Sequence, residues 1–524
     1  MIRYIRGSFM QKTGKPAELC FIRKYFWRER YYMERLEKIG NIKSFASGQI
    51  QHSKVGIGFE KLDRGLFDPE NAYDKVAATG AKWIRLQSGW ARTETLKGVY
   101  SFEWLDSIVD NLIARGMKPW LCLCYGNGLY TEEAARYFGA VGCPPIHSRE
   151  ERDAWSRYVT ATVSRYKGKI QWYEVWNEPD GTWCWKHGPD GAEYGEFVKL
   201  TAEAVKKADP DAKIIGGCEC SFSLEWLSAV LSTGAAKVMD AFSYHNYSAN
   251  ETPLPDLVRS LKALIHMYNP EILLIQGETG TQSRSDGRGA LRGGAWTPLK
   301  QAKYVARHTV NDFISDVMFC SYFSCLDMAE AINGRTGDLS SRKDFGYFGI
   351  LSAEFDQNGI ATGNYTPKPS YRTLQVLASV FREEFQQVSL PVQLKNLYST
   401  RLLKEEESAE SFSTAGFIKP NGSAAFAYWK PTDLLSIAYE GTVTIDSALP
   451  GTPRLVDLLD GAVYRIPESM MQYELQRYHA DNGKLIPFPM QGLTKSKNNF
   501  IRFPNFPVKD YPMLLTFGDF FDME

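Results

Sequence analysis

Two glutamates stand where apolar runs end. The stretch Ile170–Trp185 reads IQWYEVWNEPDGTWCW, a greasy segment that closes on Asn177 and Glu178 before Pro179. The run LLIQGETG places Glu278 in the same way. Two carboxyls facing each other across a pocket are the minimum equipment for glycoside hydrolysis: one, protonated, gives its proton to the leaving oxygen, and the other, ionised, attacks the anomeric carbon. Retention needs the pair about 5–5.5 Å apart, inversion about 6.5–9.5 Å. The neighbours suit both jobs. Arg85, in WIRLQ, is a cation that would hold Glu278 ionised. Trp172, Trp176 and Trp183 would surround Glu178 with apolar surface and raise its pKa toward that of a working acid. Asn177 is placed to hydrogen-bond a sugar hydroxyl in the transition state.

The elements that must hold these residues are strands alternating with helices. Apolar runs at 55–60, 82–87, 118–125, 170–177, 213–219, 240–247, 272–278 and 317–324 read as strands. Between them lie amphipathic segments such as FEWLDSIVDNLIARG (102–116), whose Phe102, Leu105, Ile108, Leu112 and Ile113 share one face before Gly116, and PLPDLVRSLKALIHMY (253–268). Eight such units predict an α/β chain folded as a (β/α)8 TIM barrel over 54–384. No glycine-rich phosphate fingerprint follows the first strand, which argues against a dinucleotide fold. The fourth and seventh strands face each other across the mouth, so Glu178 and Glu278 can meet. Long loops after the third, seventh and eighth strands fall on the same carboxyl-end face. From 385 to 524 short β-rich runs broken by Gly, Pro and Asn predict a C-terminal all-β module, a β-sandwich. Residues 1–53 form an N-terminal extension, basic and aromatic to about residue 43, that fits either a helix or a strand added to that module.

At this point the residues resemble a known family. YEVWNEP resembles the fourth-strand motif of the retaining clan A glycoside hydrolases, and GVYSFEWLDSIVDNLIARGMKPWL ahead of it is most similar to glycoside hydrolase family 39, which includes β-xylosidases and α-L-iduronidases. The resemblance covers residues 54–383 and implies Glu178 as acid/base, Asn177 as its partner, Glu278 as nucleophile and Arg85 as the second-strand arginine. His245 and Tyr247, in SYHNY, match the clan's His-x-Tyr. The chain departs from the pattern at Gln87, where a histidine is usual, and at the eighth strand, where Tyr322 or Phe323 stands for a tryptophan. The machinery therefore transfers further than the substrate.

Other strand ends offer further contacts. Glu60 closes the first strand; Tyr125 and Asn127 close the third; Trp183 and Trp185 could wall the pocket or pack their own loop. Glu219 could bind substrate or be structural. Arg284, Arg288 and Arg292 form either a clamp for a uronic-acid carboxylate or a solvated mobile lid, the lid being the plainer reading. A metal is not expected, because no second histidine or acidic cluster stands at ligand spacing in the sequence, and no cofactor is needed. Lys+Arg and Asp+Glu balance at 61 each, which gives no global attraction for nucleic acid. No run of about 18 apolar residues predicts a membrane span. The N-terminus lacks an apolar leader region, and the nine scattered cysteines fit free thiols, so a cytoplasmic location is expected. The expected partner is a carbohydrate substrate, and a homo-oligomer is compatible with the sequence. The expected activity is a retaining exo-acting hydrolase of small oligosaccharides or glycosides, β-xyloside-like or another β-glycoside. The rivals are a transglycosidase and an inactive sugar-binding barrel.

Overall fold

In an all-parallel barrel every strand is covered on both faces, so side chains alternate between the interior and the helices. The computed structural model describes residues 36–395, 412–473, 477–481, 484–488 and 499–524. After β1 (Glu37–Asn41), eight strands close on themselves: β2 (Val55–Gly58), β3 (Trp83–Gln87), β4 (Lys118–Leu123), β5 (Trp172–Val175), β6 (Lys213–Glu219), β7 (Ala241–His245), β8 (Leu273–Thr279) and β9 (Cys320–Tyr322). Closure is made by β9 on β2, with Val55 opposite Cys320 and Ile57 opposite Tyr322. One interior layer, Trp120, Trp172, Ile215, Ala241, Ile275 and Phe319, is an apolar plug at the amino ends of the strands. Two residues further along each strand stand Cys122, Glu174, Gly217, Ser243, Gly277 and Ser321, joined by Arg85 from β3. The interior thus turns small and polar as it approaches the site.

The helices face this barrel as their patterns require. Helix Glu103–Ala114 buries Leu105, Ile108, Val109 and Leu112. Ile113, expected on that face, is exposed instead, because Val109 completes the stripe. Gly116 follows with φ +78°, and a Cβ there would meet the Gly48 backbone at 2.4 Å. Helix Leu254–Tyr268 buries Leu254, Val258, Leu261 and Ile265. Ser148, Asp190, Ser223 and Thr297 cap four helices by accepting a backbone N–H three residues on. Two short antiparallel pairs, β10 (Met328–Ala329) with β11 (Phe345–Gly346) and β12 (Leu351–Phe355) with β13 (Ala361–Pro367), structure the long segment after β9. Helix Pro369–Val380 completes the ring.

The all-β region carries a seven-stranded sheet and a three-stranded one. The first runs β1–β20 (Ala462–Arg465)–β19 (Pro453–Asp457)–β24 (Met513–Phe517)–β17 (Ala424–Trp429)–β16 (Ser413–Ile418)–β14 (Gln386–Gln387). The second is β15 (Val392–Lys395)–β18 (Glu440–Ser447)–β23 (Ile501–Lys509). A small hairpin, β21 (Arg477–Asp481) with β22 (Lys484–Phe488), stands apart. Residues 37–41 therefore add a strand to the C-terminal module, where the sequence left helix and strand both open; residues 1–35 lie outside the described residues. The eight described cysteines are free, seven of them buried. Among the described residues no helix is long and apolar enough to cross a membrane.

Candidate active site

Arg85 is the hub. It is fully buried on β3, and its guanidinium donates from Nε to Glu174 (2.6 Å), from Nη1 to Glu278 (2.6 Å) and from Nη2 to Asn177 (2.9 Å). Glu60 lies 3.3 Å from the same Nη1. Glu278 takes a second hydrogen bond from the Tyr247 hydroxyl. Across the mouth, Glu178 is bonded to His245 Nδ1 at 3.0 Å and accepts from the Trp183 indole N–H. An oxygen of Glu178, one of Glu278 and a nitrogen of His245 all lie within 4.8 Å of one another.

Backbone irregularity aims these groups. The β5 ladder ends at Val175, and the chain turns left-handed at Trp176 (φ +68°) and Glu178 (φ +43°). The strand thus stops before Pro179 is reached. Between β7 and β8 the register slips: Tyr244 faces Gln276, yet His245 faces Glu278, so Gly277 is the extra residue of a bulge. That slip sets His245 level with Glu278.

The electrostatics differ from the expectation for Glu178. Burial pushes its carboxyl up, but the hydrogen bond and charge of His245, the Trp183 N–H and Arg85 outweigh it and leave the group below the usual carboxylate range. The apolar jacket expected from three tryptophans is not there. Trp172 belongs to the plug, Trp176 packs outward on Trp155, Trp185 and Phe197, and Trp183 presents its N–H. His245 is correspondingly raised: burial lowers it, but the Glu278 charge and the Glu178 bond prevail. Both shifts favour the proton on His245 over Glu178. Burial lifts Glu60 to about 8, against Arg85, which pulls it down.

The remaining candidates divide. Gln87 reaches the pocket wall, accepting from the Lys61 backbone N–H (3.1 Å) and from Arg64 (2.7 Å), and its amide points to the Tyr125 hydroxyl (3.4 Å). Tyr125 also faces the Cys184 thiol and stacks edge-on against Trp176. Asn127 is spent on backbone, donating to the Glu94 carbonyl of the segment after β3 (2.8 Å) and accepting from the Leu129 N–H of its own loop, and is not brought to the carboxylates. Tyr322 is buried with its hydroxyl on the Thr281 backbone, tying β9 to the segment after β8. Trp185 is fully buried and packs its loop. Glu219 is buried with neither oxygen bonded, and burial holds it well above the usual carboxylate range. The arginine clamp does not assemble: Arg284 pairs with Asp286, and Arg288 lies 3.9 Å from Asp344. All three arginines are solvent-exposed, as the plainer reading has it, on a loop joined to its neighbour through Gln282 and Ser283.

Three participants were not singled out from the sequence. Glu174 was legible as a charge inside an apolar strand, four residues before Glu178. Lys61 and Glu330, 3.1 Å apart and buried, join the loops after β2 and β9 beside the site, and nothing in local sequence pairs them. The fold also corrects the reason given against a metal. Glu178, His245 and Glu278 do form a cluster of ligand type, drawn from the turn after β5 and from the paired strands β7 and β8, far apart in sequence. Its electrostatics oppose a second cation, since the Arg85 guanidinium already occupies one edge of Glu278. A cavity of about 670 Å³ opens at the other end of the barrel, lined by Lys54, Trp83, Lys118 and Phe385, away from the carboxylates.

Comparison with known proteins finds similar sequences and similar folds. The model of glycosyl hydrolases family 39 matches residues 79–258. A β-xylosidase of Geobacillus stearothermophilus is 28% identical over 243 residues, 44% of each chain. A β-xylosidase of Caldicellulosiruptor saccharolyticus is 26% identical over 310 residues, 53% of this chain and 56% of its own. The chain thus spans about half the length of the curated relatives it matches. A family 39 glycoside hydrolase from Bacteroides cellulosilyticus WH2 superposes with a TM-score of 0.58 at 18% identity, covering 88% of this chain and 80% of that one. A family 39 enzyme from Xanthomonas axonopodis pv. citri gives 0.55 at 14%, covering 92% and 96%. At these identities the structures establish a shared fold. The segment that matches the model of glycosyl hydrolases family 39 contains Arg85, Glu178 and His245.

Proposed function

We propose that the protein is a retaining glycoside hydrolase that removes single sugars from small glycosides, with Glu278 as nucleophile and Glu178 as acid/base. The observation that carries this reading is the convergence of two carboxylates, their oxygens within 4.8 Å, with one bound to a cation and the other to a proton carrier. Oxygens that approach this closely suit direct attack by a carboxylate better than the gap of about 6.5–9.5 Å that an inverting enzyme keeps for its water. Glu278 attacks the anomeric carbon as the bond to the leaving oxygen breaks, and that oxygen takes the proton of the Glu178–His245 pair. Water then gives its proton to Glu178 and attacks the same carbon, which frees Glu278. Arg85 and Tyr247 hold the nucleophile in place, and Asn177, itself fixed by Arg85, faces the sugar.

Removal of terminal sugars is supported by the loops. Those after β4 and β9 bond through Phe138 to Gly334 (2.8 Å) and Thr336 to Arg136 (3.0 Å). Those after β8 and β9 bond through Ser283 to Tyr347 and Arg288 to Phe345, both 2.9 Å. A rim stitched in this way favours a blind pocket over an open cleft. A β-xyloside-like substrate is favoured by the two similar β-xylosidases.

The test is a panel of aryl glycosides with anomer-resolved product NMR. Wild type should retain configuration, and Glu278→Ala should lose on the order of 10⁴-fold in kcat, with azide restoring part as a glycosyl azide of inverted configuration. Near-normal turnover by Glu278→Ala would sink the assignment. Transfer to added sugar in place of water would make the protein a transglycosidase, and silence across the panel a binding protein.

A further inference from the structure

Trp183 is tied down on two sides and open on a third. Its indole N–H donates to Glu178, so the ring borders the acid/base. Gly181 lies against it: a Cβ there would stand 2.5 Å from both Cε2 and Cζ2 of the ring and 3.0 Å from Cδ2. Those three distances are met over the ring face, because an in-plane approach to the Cε2–Cζ2 bond would leave Cδ2 much farther off. Gly181 has no left-handed φ, so what the glycine supplies is a seat for the ring. The chain on either side is fixed. Cys184 and Trp185 are buried, the Trp176 indole donates to the Cys184 carbonyl (2.7 Å), and Lys186 donates to the Trp183 carbonyl (3.0 Å) and to Asn333 (3.2 Å). Trp183 is nevertheless 38% exposed, whereas Trp176 and Trp185 are fully buried. With one face on Gly181 and the N–H on Glu178, the exposed part is the second face.

We propose that the free face of Trp183 is the subsite for the leaving group, and that it selects leaving groups with a flat ring, phenolic or pyranose, over small ones. The inference rests on the catalytic reading above, in which Glu178 gives its proton to the leaving oxygen. That oxygen must come within hydrogen-bond reach of Glu178, and the group it carries then lies against whatever borders that carboxyl on the solvent side. The two oxygens of Glu178 divide accordingly. Oε1 bonds to His245, which is fully buried beside Glu278, and Oε2 accepts from the exposed Trp183. The reacting sugar fits between the carboxyls, and the leaving group lies outward of Glu178, over the indole. A planar π face stacks with an aryl ring or with the C–H face of a sugar, and a small group covers little of it. Trp183 is on this account a specificity-determining residue that also holds the acid/base by its N–H.

Stacking and proton donation are separated by two probes whose leaving groups depend little on a proton from Glu178. One is a dinitrophenyl β-xyloside, which departs as a ring, and the other is β-xylosyl fluoride, which departs as a single atom. The ratio of their kcat/KM values should fall about tenfold in Trp183→Leu. Trp183→Phe keeps an aromatic face without the N–H and should keep most of the ratio. Gly181→Ala, which drives the ring off its seat, should lower the ratio as leucine does. An unchanged ratio in Trp183→Leu overturns the proposal, and so does an equal fall in the leucine and phenylalanine variants, which would leave Trp183 the hydrogen bond alone. Binding gives a readout free of turnover. In Glu278→Ala labelled at tryptophan, the Trp183 Nε1–H signal, assigned from Trp183→Phe, should shift with phenyl β-xyloside and with xylobiose but not with methyl β-xyloside. A shift with only one of the first two supports the subsite for that class of ring. An equal shift with the methyl glycoside, or none with any, overturns it. If wild type turns over no glycoside of the aryl panel, the hydrolase reading fails, and the titration repeated with the phenyl glycosides of that panel decides the face by itself.

Discussion

Glu60 is the carboxyl beside Arg85 whose burial most favours the protonated form. It shares the Arg85 Nη1 with Glu278, at 3.3 Å against 2.6 Å, and the nearer carboxylate takes the cation. Burial then lifts Glu60 from an ordinary 4.5 to about 8, with Glu278 and Glu174 adding to the rise. A neutral carboxyl beside a nucleophile can donate a hydrogen bond to a sugar hydroxyl, which an ionised one cannot. The sign for stability follows directly. Between 4.5 and about 8 the folded chain binds a proton that the unfolded chain has released, so stability falls as pH rises through that window. Glu60→Gln, which mimics the neutral acid, should keep activity near neutrality within a few fold. Its melting temperature should decline less than that of wild type from pH 6 to about 9. Parallel decline in differential scanning calorimetry would show that Glu60 does not carry the proton.

At the scale of elements, the site depends on how strands end and how their loops are held. Gln282, fully buried after β8, donates its amide to the carbonyls of Arg288 (2.6 Å) and Ala290 (3.1 Å) and accepts from the Tyr347 N–H (2.8 Å). It thereby binds the loop after β8 to the one after β9. Gln282→Leu strands these backbone groups and should lower stability by about 1–3 kcal/mol. Limited proteolysis should then cut first between residues 284 and 296, and KM should rise if that loop forms the pocket rim. An unchanged cleavage pattern would assign the rim's order to other contacts. The same scale explains what could be read beforehand. Strand runs such as WIRLQ and LLIQGET announce themselves through apolar burial, and Glu178 and Glu278 stand out because charge interrupts that pattern. The β7–β8 slip that levels His245 with Glu278, the left-handed turn at Trp176 and the Lys61–Glu330 pair arise from neighbours distant in sequence. No local period encodes them. For the same reason the direction of the Glu178 shift was misjudged: counting tryptophans could not show that two of the three point away.

At the scale of the whole molecule, one face of the seven-stranded sheet packs into the barrel's core through Phe417, Trp429 and Leu514, and its other face helps enclose a core of the β-module's own through Phe426, Tyr428 and Leu515. Phe313 and Phe381 from the barrel helices pack with Phe385 and with Phe417 and Phe520 of the β-rich region. Beside them Arg307 donates to Glu251 at 2.6 Å and to the Thr432 carbonyl at 2.9 Å, while the Trp429 indole donates to the same glutamate at 3.2 Å. Arg307 and Glu251 are both essentially inaccessible to water, so the pair bridges the two parts without solvent to replace either charge. Removing one partner of such a pair costs about 3–5 kcal/mol, because the other stays buried and uncompensated. Arg307→Met should therefore lower the denaturant midpoint of the entire chain. Near- and far-ultraviolet circular dichroism should still report one coincident transition, since the seven-stranded sheet contributes side chains to both cores. Glu251→Gln/Arg307→Met should recover part of the loss by deleting the orphaned charge. Two separated transitions in wild type would show that barrel and module unfold as independent units, in which case the shared phenylalanine cluster contributes contact without cooperativity.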